Sequence, residues 1–486
     1  MSESPRNPTL IQSLIPIFFL IGLLVINVLF VFGDDSLSGA NQIALLLAGT
    51  FAALIAWRLG FKWKHILDGI VRSISSAMSA LLILLLIGAL SGTWLISGVV
   101  PAMIYYGLDI LNPTIFLFAA CLVSAVVSLA TGSSWSTAAT IGIALVGIGK
   151  VLGIEVGLVA GAVISGAYFG DKMSPLSDTT NLAPAMAGTD LFTHIKYMSL
   201  TTGPSILITL TIFLIWGFTF DADLAITSID PIQAAIASKF NISGWLFLVP
   251  LTVILLIVRK VAALPALFAG TIMGAVFALI FQPDIVNEVS GMATGGWVDK
   301  YAGIMKSMYA SLSVVTGNAM VDELLASKGM VGMLNTIWLI ICAMIFGGVM
   351  ECTGMLKRLA AEVIKLAHST GSLVLSTAAT CFGFNLTASD QYLAIVVPGR
   401  MFASTYKERG LAPENLSRTL EDTGTVTSVL VPWNTCGAYQ SSVLGVATGE
   451  YFMYCFFNII SPFMTIFYAY MGIKIKKLAG KSKENV

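Results

Sequence analysis

Charge is what this chain lacks. Of its 486 residues only 11% are charged, and the 26 acidic and 26 basic side chains cancel. A soluble domain carries roughly 25%. So few charges cannot coat a water-facing surface of this size, which excludes a soluble enzyme. With no basic excess there is nothing to meet a phosphate backbone, so nucleic acid is excluded as a partner. Disorder is excluded as well, because it needs low hydrophobicity and high net charge. The six cysteines lie mostly inside apolar runs and show no CxxC spacing, which argues against a disulfide or zinc framework. Neither an HExxH helix nor a GxSxG elbow occurs, so catalysis has no signature. Without GxxxxGK[ST] there is no direct coupling to ATP within this chain, and no cofactor is expected.

What is present is apolar: 57% of the residues, with 45 glycines. A spanning helix needs about 20 apolar residues, and charge-free stretches of that order recur along the chain. In the first half they run 11–32, 40–57, 73–98, 111–149, 156–170 and 197–220. The second half offers 242–258, 261–283, 329–350, 366–389, 423–449 and 451–473. The fold expected is an all-α polytopic membrane protein.

Basic residues orient it. Arg58, Lys62, Lys64 and Arg72 place one loop inside. Arg259 and Lys260 mark another, and Lys357, Arg358, Lys365, Lys407 and Arg409 others, followed by the lysine-rich tail from Lys474. The acidic stretches, GDDSLSG at 33–39, Asp221 to Asp230 and Asp284 to Glu323, fall outside. Both termini are then cytoplasmic. Basic loops flank 366–400 on both sides, so an odd number of crossings there would put one of them outside. A re-entrant hairpin with its tip at FNLTASDQ (384–391) resolves the conflict. A second hairpin would enter 111–149 from the other side, with its tip at TGSSW (131–135).

The chain also repeats itself. Gly92, Gly98 and Thr131 match Gly348, Gly354 and Thr387 at one offset of 256 residues, and Pro175 matches Pro432 at 257. Collinear matches at a shared offset are strong where single matches are weak. The expected organisation is a first transmembrane repeat at 11–220, an extracytoplasmic linker at 221–243, a second repeat of inverted topology at 244–473, and a basic cytoplasmic tail at 474–486. Each repeat would hold about five spanning helices, a re-entrant hairpin and one interrupted helix. Inverted repeats with interrupted helices mark secondary transporters whose site lies between the repeats near the midplane.

The interruptions carry the chemistry, since broken helices in lipid occur only where they line a polar cavity. GDKMSPLSDTTN (170–181) holds Asp171, Asp178, Thr179, Thr180 and Asn181. An ionisable group at membrane depth is a functional hypothesis by default. Sodium takes hard oxygen ligands, as hard divalent cations do, and is expected at Asp171, Asp178 and Asn181. The structural alternatives are an Asp171–Lys172 pair at a helix end and a cap by Asp178. VTSVLVPWNTCG (426–437) has no carboxylate but offers Asn434 and Thr435. The tips add Ser133 and Ser134 on one side and Asn385, Thr387 and Asp390 on the other, with Asp390 also suited to cap the returning arm. Glu421 and Asp422 sit near an inner loop, as vestibule residues gathering cations or as a helix-start pair. Glu351 and His194 read as interfacial. Lys172 and Arg400 would matter if the substrate were an anion; otherwise Arg400 snorkels.

The strings GSSWSTAATIG (132–142) and SGAYFGDKMSPLSDTTNLA (165–183) resemble the NhaC-type sodium/proton antiporter family, and the resemblance extends over essentially the whole chain. It implies a cation/proton exchanger of a bacterial-type inner membrane, with sodium and protons as transported ions. The same family includes exchangers of malate and protons for lactate and sodium, so a small carboxylate remains a second substrate class. Whether two copies pair as a homodimer is left open.

Overall fold

The computed structural model describes residues 5–32, 39–110, 112–220, 222–292 and 296–478. The expected outer loop at 33–38, Asp221, Lys481 and Lys483 lie outside them. The first half runs α1 (Leu10–Val25), α2 (Ala40–Arg58), α3 (Trp63–Ser76), α4 (Met78–Ile96), α5 (Val99–Ile110), α6 (Pro113–Thr131), α7 (Ser134–Thr137), α8 (Ile143–Val151), α9 (Val156–Met173), α10 (Asp178–Ala187) and α11 (Leu191–Gly217). The middle holds α12 (Ala222–Lys239), α13 (Leu248–Val258), α14 (Ala263–Phe281), α15 (Pro283–Ser290), α16 (Trp297–Tyr309) and α17 (Ala319–Leu324). There follow α18 (Gly329–Cys352), α19 (Met355–Lys365), α20 (Thr370–Thr387), α21 (Gln391–Glu408), α22 (Pro413–Leu420), α23 (Thr435–Leu444), α24 (Thr448–Tyr451) and α25 (Phe456–Tyr470). Two short strands, Leu312–Ser313 and Ala326–Ser327, pair antiparallel beside α17.

Among the described residues seven helices are long and apolar enough to cross a membrane, or nine if two bent pairs count as one span each. This is a multi-pass membrane protein. The long apolar runs become helices because lipid leaves every backbone group to be satisfied within the segment. One order of elements occurs twice: a pair of long helices (α2 and α4, then α14 and α18), two arms separated at a tip (α6 and α7–α8, then α20 and α21), a broken helix (α9 and α10, then α22 and α23) and a closing helix (α11, then α25). The tips fall at Gly132–Ser133 and Ala388–Asp390, inside TGSSW and FNLTASDQ. The stretch read as a linker at 221–243 is largely α12, which buries Ile232 and Ile236, with Phe240 buried just beyond its end.

Helices α3 and α19 are amphipathic. Each buries one stripe, Ile66, Gly69 and Ser73 in α3 and Met355, Leu356 and Ala360 in α19, while Lys64, Asp68, Arg72 and Lys357 stay exposed. The span expected from Ser73 therefore starts at Met78, after a turn.

Helices α6 and α9 pack closely. A Cβ placed on Gly166 would stand 2.0 Å from the carbonyl oxygen of Cys121, and one on Gly170 2.3 Å from that of Ala125. Small residues of this kind let backbones touch where lipid supplies no hydrophobic drive. A backbone carbonyl cannot rotate away as a side chain can. Gly166→Ala is therefore expected to cost about 3 kcal/mol, the upper end of the overpacking range. A lowered melting midpoint in detergent would register it, and an unchanged midpoint would contradict the close approach.

Candidate functional site

Four helices start around one cavity. The first half supplies α7, capped by Ser133, and α10, capped by Ser177; the second supplies α21, capped by Asp390, and α23, capped by Asn434. In each, a side-chain oxygen accepts a first-turn backbone N–H: Ser133 from Ser136 at 3.1 Å, Ser177 from Thr180 at 3.4 Å, Asp390 from Leu393 at 2.9 Å and Asn434 from Cys436 at 3.0 Å. Ser, Asp and Asn are preferred there because they satisfy otherwise orphaned donors. The cavity measures about 540 Å³, and its wall includes Ser133, Asp171, Asp178, Thr179, Asp390 and Thr435. Residues from all four helix starts reach it, so positive dipole ends gather where the carboxylates are.

Asp171 ends α9 and is half-buried. Its Oδ2 accepts both the Ser134 N–H at 3.0 Å and the Ser134 hydroxyl at 2.7 Å, which ties the first break to the first tip. Gly132, in the left-handed region with φ 71°, lets that tip approach Leu176: a Cβ here would lie 2.6 Å from the Leu176 Cβ. Asp178 opens α10, is exposed to the cavity and makes no hydrogen bond among the described residues. Asp390 is 2% exposed.

The second tip is bonded to the second break in a comparable way. Ser389 holds a left-handed φ of 60°, a strained conformation for a residue with a side chain. Its carbonyl accepts the Thr435 N–H at 3.0 Å. Trp433 donates to the Leu386 carbonyl at 2.8 Å, Asn434 to Asn385 Oδ1 at 3.1 Å, and Asn385 to the Gly424 carbonyl at 2.7 Å. The halves meet where Trp135 stacks on Tyr439 with centroids 3.9 Å apart, and the Tyr439 hydroxyl donates to the Trp135 carbonyl at 2.9 Å.

Behind the cavity lies a dry polar layer. Lys172 is ion-paired with Asp422, and both side chains are fully buried. Lys172 also donates to Ser461 at 2.8 Å, and the Thr201 hydroxyl donates to Asp422 Oδ2 at 2.8 Å. The Thr179 hydroxyl donates to Glu421 Oε1 at 3.0 Å. Glu421 and Asp422 belong to a π-helical turn, Glu421–Thr425, a distortion that often marks functional positions.

The residues expected from sequence divide into three groups. Ser133, Asp171, Asp178, Thr179, Asp390 and Thr435 share the cavity wall. Ser134, Thr180, Asn385, Thr387 and Asn434 stand beside it: Ser134 holds the Asp171 carboxylate, while Thr180 donates to the carbonyls of Asp171 and Lys172, and Thr387 to that of Gly383. The remainder differ from expectation. Asn181 is exposed and off the wall, because its amide is spent on the carbonyls of Pro175 and Ser177. The trio Asp171, Asp178 and Asn181 is therefore not assembled. Among the described residues no three His, Cys, Asp or Glu side chains converge to hold a metal ion. Glu421 and Asp422 line no vestibule: enclosing helices leave them 0% exposed. Lys172 is committed to Asp422, and Arg400 is exposed away from the cavity wall. His194, expected at the interface, is fully buried with Nδ1 2.8 Å from the Ser417 hydroxyl.

Sequence reasoning missed Thr201, Ser461, Tyr439 and Lys260, the last a cation on the cavity wall. A buried lysine demands an acid, which was a signal for an Asp422-type partner, but nothing in the spacing says which acid.

Residues 166–473 match the family described as the Na+/H+ antiporter family. The chain is 37% identical to the Na(+)/H(+) antiporter NhaC of Alkalihalophilus pseudofirmus, covering 90% of each chain. It is 35% identical to the malate-2H(+)/Na(+)-lactate antiporter of Bacillus subtilis, covering 89% of each. It is also 35% identical to the arginine/ornithine antiporter ArcD of Halobacterium salinarum, covering 97% of this chain and 94% of that one. A family match over more than half of the chain and relatives aligned along most of it agree, and the protein belongs to the Na+/H+ antiporter family.

Proposed function

We propose that the protein exchanges sodium for protons by alternating access, with cation and proton competing at the cavity carboxylates. The observation that carries this reading is the cavity itself: Asp171, Asp178 and Asp390 meet hydroxyls at four helix starts inside an apolar bundle. Since no three carboxylates converge among the described residues, one sodium would be held by one or two aspartates together with hydroxyls such as those of Ser133 and Thr435. Protonating an aspartate removes its attraction for the cation, so the two occupants alternate. The doubled element order supports a pair of inverted repeats, the arrangement in which one half rocks against the other around a central site. The wall also includes Lys260 and the start of α4, ends that the basic loops put in the cytoplasm. The conformation is read as inward-open.

The test is a proteoliposome assay with an internal pH dye. An imposed sodium gradient is expected to drive opposite, saturable proton movement, and sodium-independent pH changes of the same size would sink the proposal.

A second reading has its own support. A cavity of about 540 Å³ is far larger than an ion needs, and Lys260 stands on its wall. Sodium- and proton-coupled exchange of a small carboxylate fits that room and charge, and it is the kind of exchange named for the Bacillus relative. Sodium-dependent uptake of labelled malate or lactate that falls in Lys260→Ala would favour it.

A further inference from the structure

We propose that Glu421 is a proton-binding residue of the exchange cycle, set behind the cavity and reached from it through Thr179. The proposal rests on the sodium/proton reading and adds a site to it. Glu421 is 0% exposed, and among the described residues it forms no ion pair. The one lysine nearby, Lys172, is taken by Asp422. Glu421 Oε1 accepts the Thr179 hydroxyl at 3.0 Å, while Oε2 is buried with no hydrogen-bond partner. One π-turn along, the Thr425 hydroxyl is buried and unpartnered too. A carboxylate in that setting is costlier as an anion than as the neutral acid, because burial without an ion pair removes its hydration and a single hydroxyl donor returns only part of it. A proton on Oε2, facing the Thr425 oxygen, satisfies both orphans at once.

Hydroxyls supply the route. Thr179 is on the cavity wall, and its hydroxyl also shares a hydrogen bond with Ser177, another wall residue, at 3.2 Å. A hydroxyl that both donates and accepts can take a proton from the wall side as it passes its own to Glu421 Oε1, and a half-turn of the carboxyl group then carries that proton to the Thr425 side. Sodium has no such route, since it would need its own oxygen shell at every step. The ionisable groups around the π-turn are few. Asp171 and Asp178 lie toward the cavity, Lys172 and Asp422 form the closed pair, and Arg418 on α22 stands over the Tyr197 ring at 4.7 Å. The packed faces of α20 and α21 bring Cys381 and Tyr406, and α25 brings Ser461 and Asn458. Arg418 is fully buried with no hydrogen-bond partner on its guanidinium, but it lies against the Tyr197 ring, and among the described residues no ion pair joins it to Glu421.

Two assays on purified protein in liposomes test this: sodium-for-sodium counterflow at equal pH, and sodium uptake driven by an opposed proton gradient. Glu421→Gln is expected to lose the stimulation by the proton gradient by at least about tenfold, while counterflow falls much less. Thr179→Val should shift coupling in the same direction with Glu421 intact, and Thr179→Ser should restore it. That pair keeps the proposal testable should Glu421→Gln fail to fold. Wild-type coupling in Glu421→Gln overturns the proposal, as does equal loss of both activities in a folded variant, which would make Glu421 a sodium ligand. Absence of proton-driven sodium uptake in the wild type instead overturns the sodium/proton reading on which it rests.

Discussion

Asp171→Asn is expected to abolish sodium-driven proton movement while leaving a folded protein. The two groups aimed at Asp171, the Ser134 N–H and hydroxyl, converge on one oxygen, Oδ2, at 3.0 and 2.7 Å. An asparagine can present its own oxygen to both, so the first tip stays tied to the first break. What disappears is the charge. Interactions with a charged group are worth about 1.5–3 kcal/mol against about 1 for a neutral pair. At 1.4 kcal/mol per factor of ten, losing the anionic ligand weakens cation binding by about 2- to 30-fold. The proton-exchanging group is removed outright, so transport falls further than affinity. Everted vesicles or proteoliposomes report it directly, with elution as a single species as the check on folding. Full exchange by a folded Asp171→Asn would remove Asp171 from the mechanism and leave Asp178 and Asp390 as the carboxylates on the wall.

The largest effect on stability is expected at the Lys172–Asp422 pair. Both side chains are completely buried, and the pair joins α9 of the first half to the π-turn of the second. Breaking such a pair from one side leaves an uncompensated charge in a dry interior, at a cost of about 3–5 kcal/mol. Ser461 and Thr201 would still face Asp422, but hydroxyls cannot neutralise it. Lys172→Met should therefore lower the melting midpoint and the yield of monodisperse protein sharply. Replacing both partners, Lys172→Met with Asp422→Leu, is expected to recover most of that loss, because an apolar pair of similar volume carries no desolvation penalty. A double variant no better than the single one would mean that the pair does more than cancel charge, for instance by fixing how the two halves dock.

Much of the candidate site is legible in the sequence because its chemistry is local. Helix breaks in lipid need capping oxygens, so Ser133, Ser177, Asp390 and Asn434 stand where apolar runs are interrupted, and the interruption alone is enough to locate them. Asn181 stands off the cavity wall for the same local reason: its residue type suits a ligand, but its amide closes the turn that contains it. Glu421 and Asp422 are misjudged when depth is counted along the chain from the nearest loop. Burial instead depends on which other helices surround that turn, here α10, α11, α20 and α21.

By itself the sequence determined that the chain lives in a membrane, where its helices run, where they break and which oxygens gather at the breaks. Those follow from solvation: scarce charge, long apolar runs and capping are properties of neighbouring residues. Only the tertiary structure decided that Asp171 answers to Ser134, that Lys172 is matched by an acid some 250 residues away, and that Glu421 lies behind Thr179 rather than at a mouth. Such pairings depend on how the halves pack, and a one-dimensional pattern carries no record of which distant side chain will fill a buried charge's single dry contact.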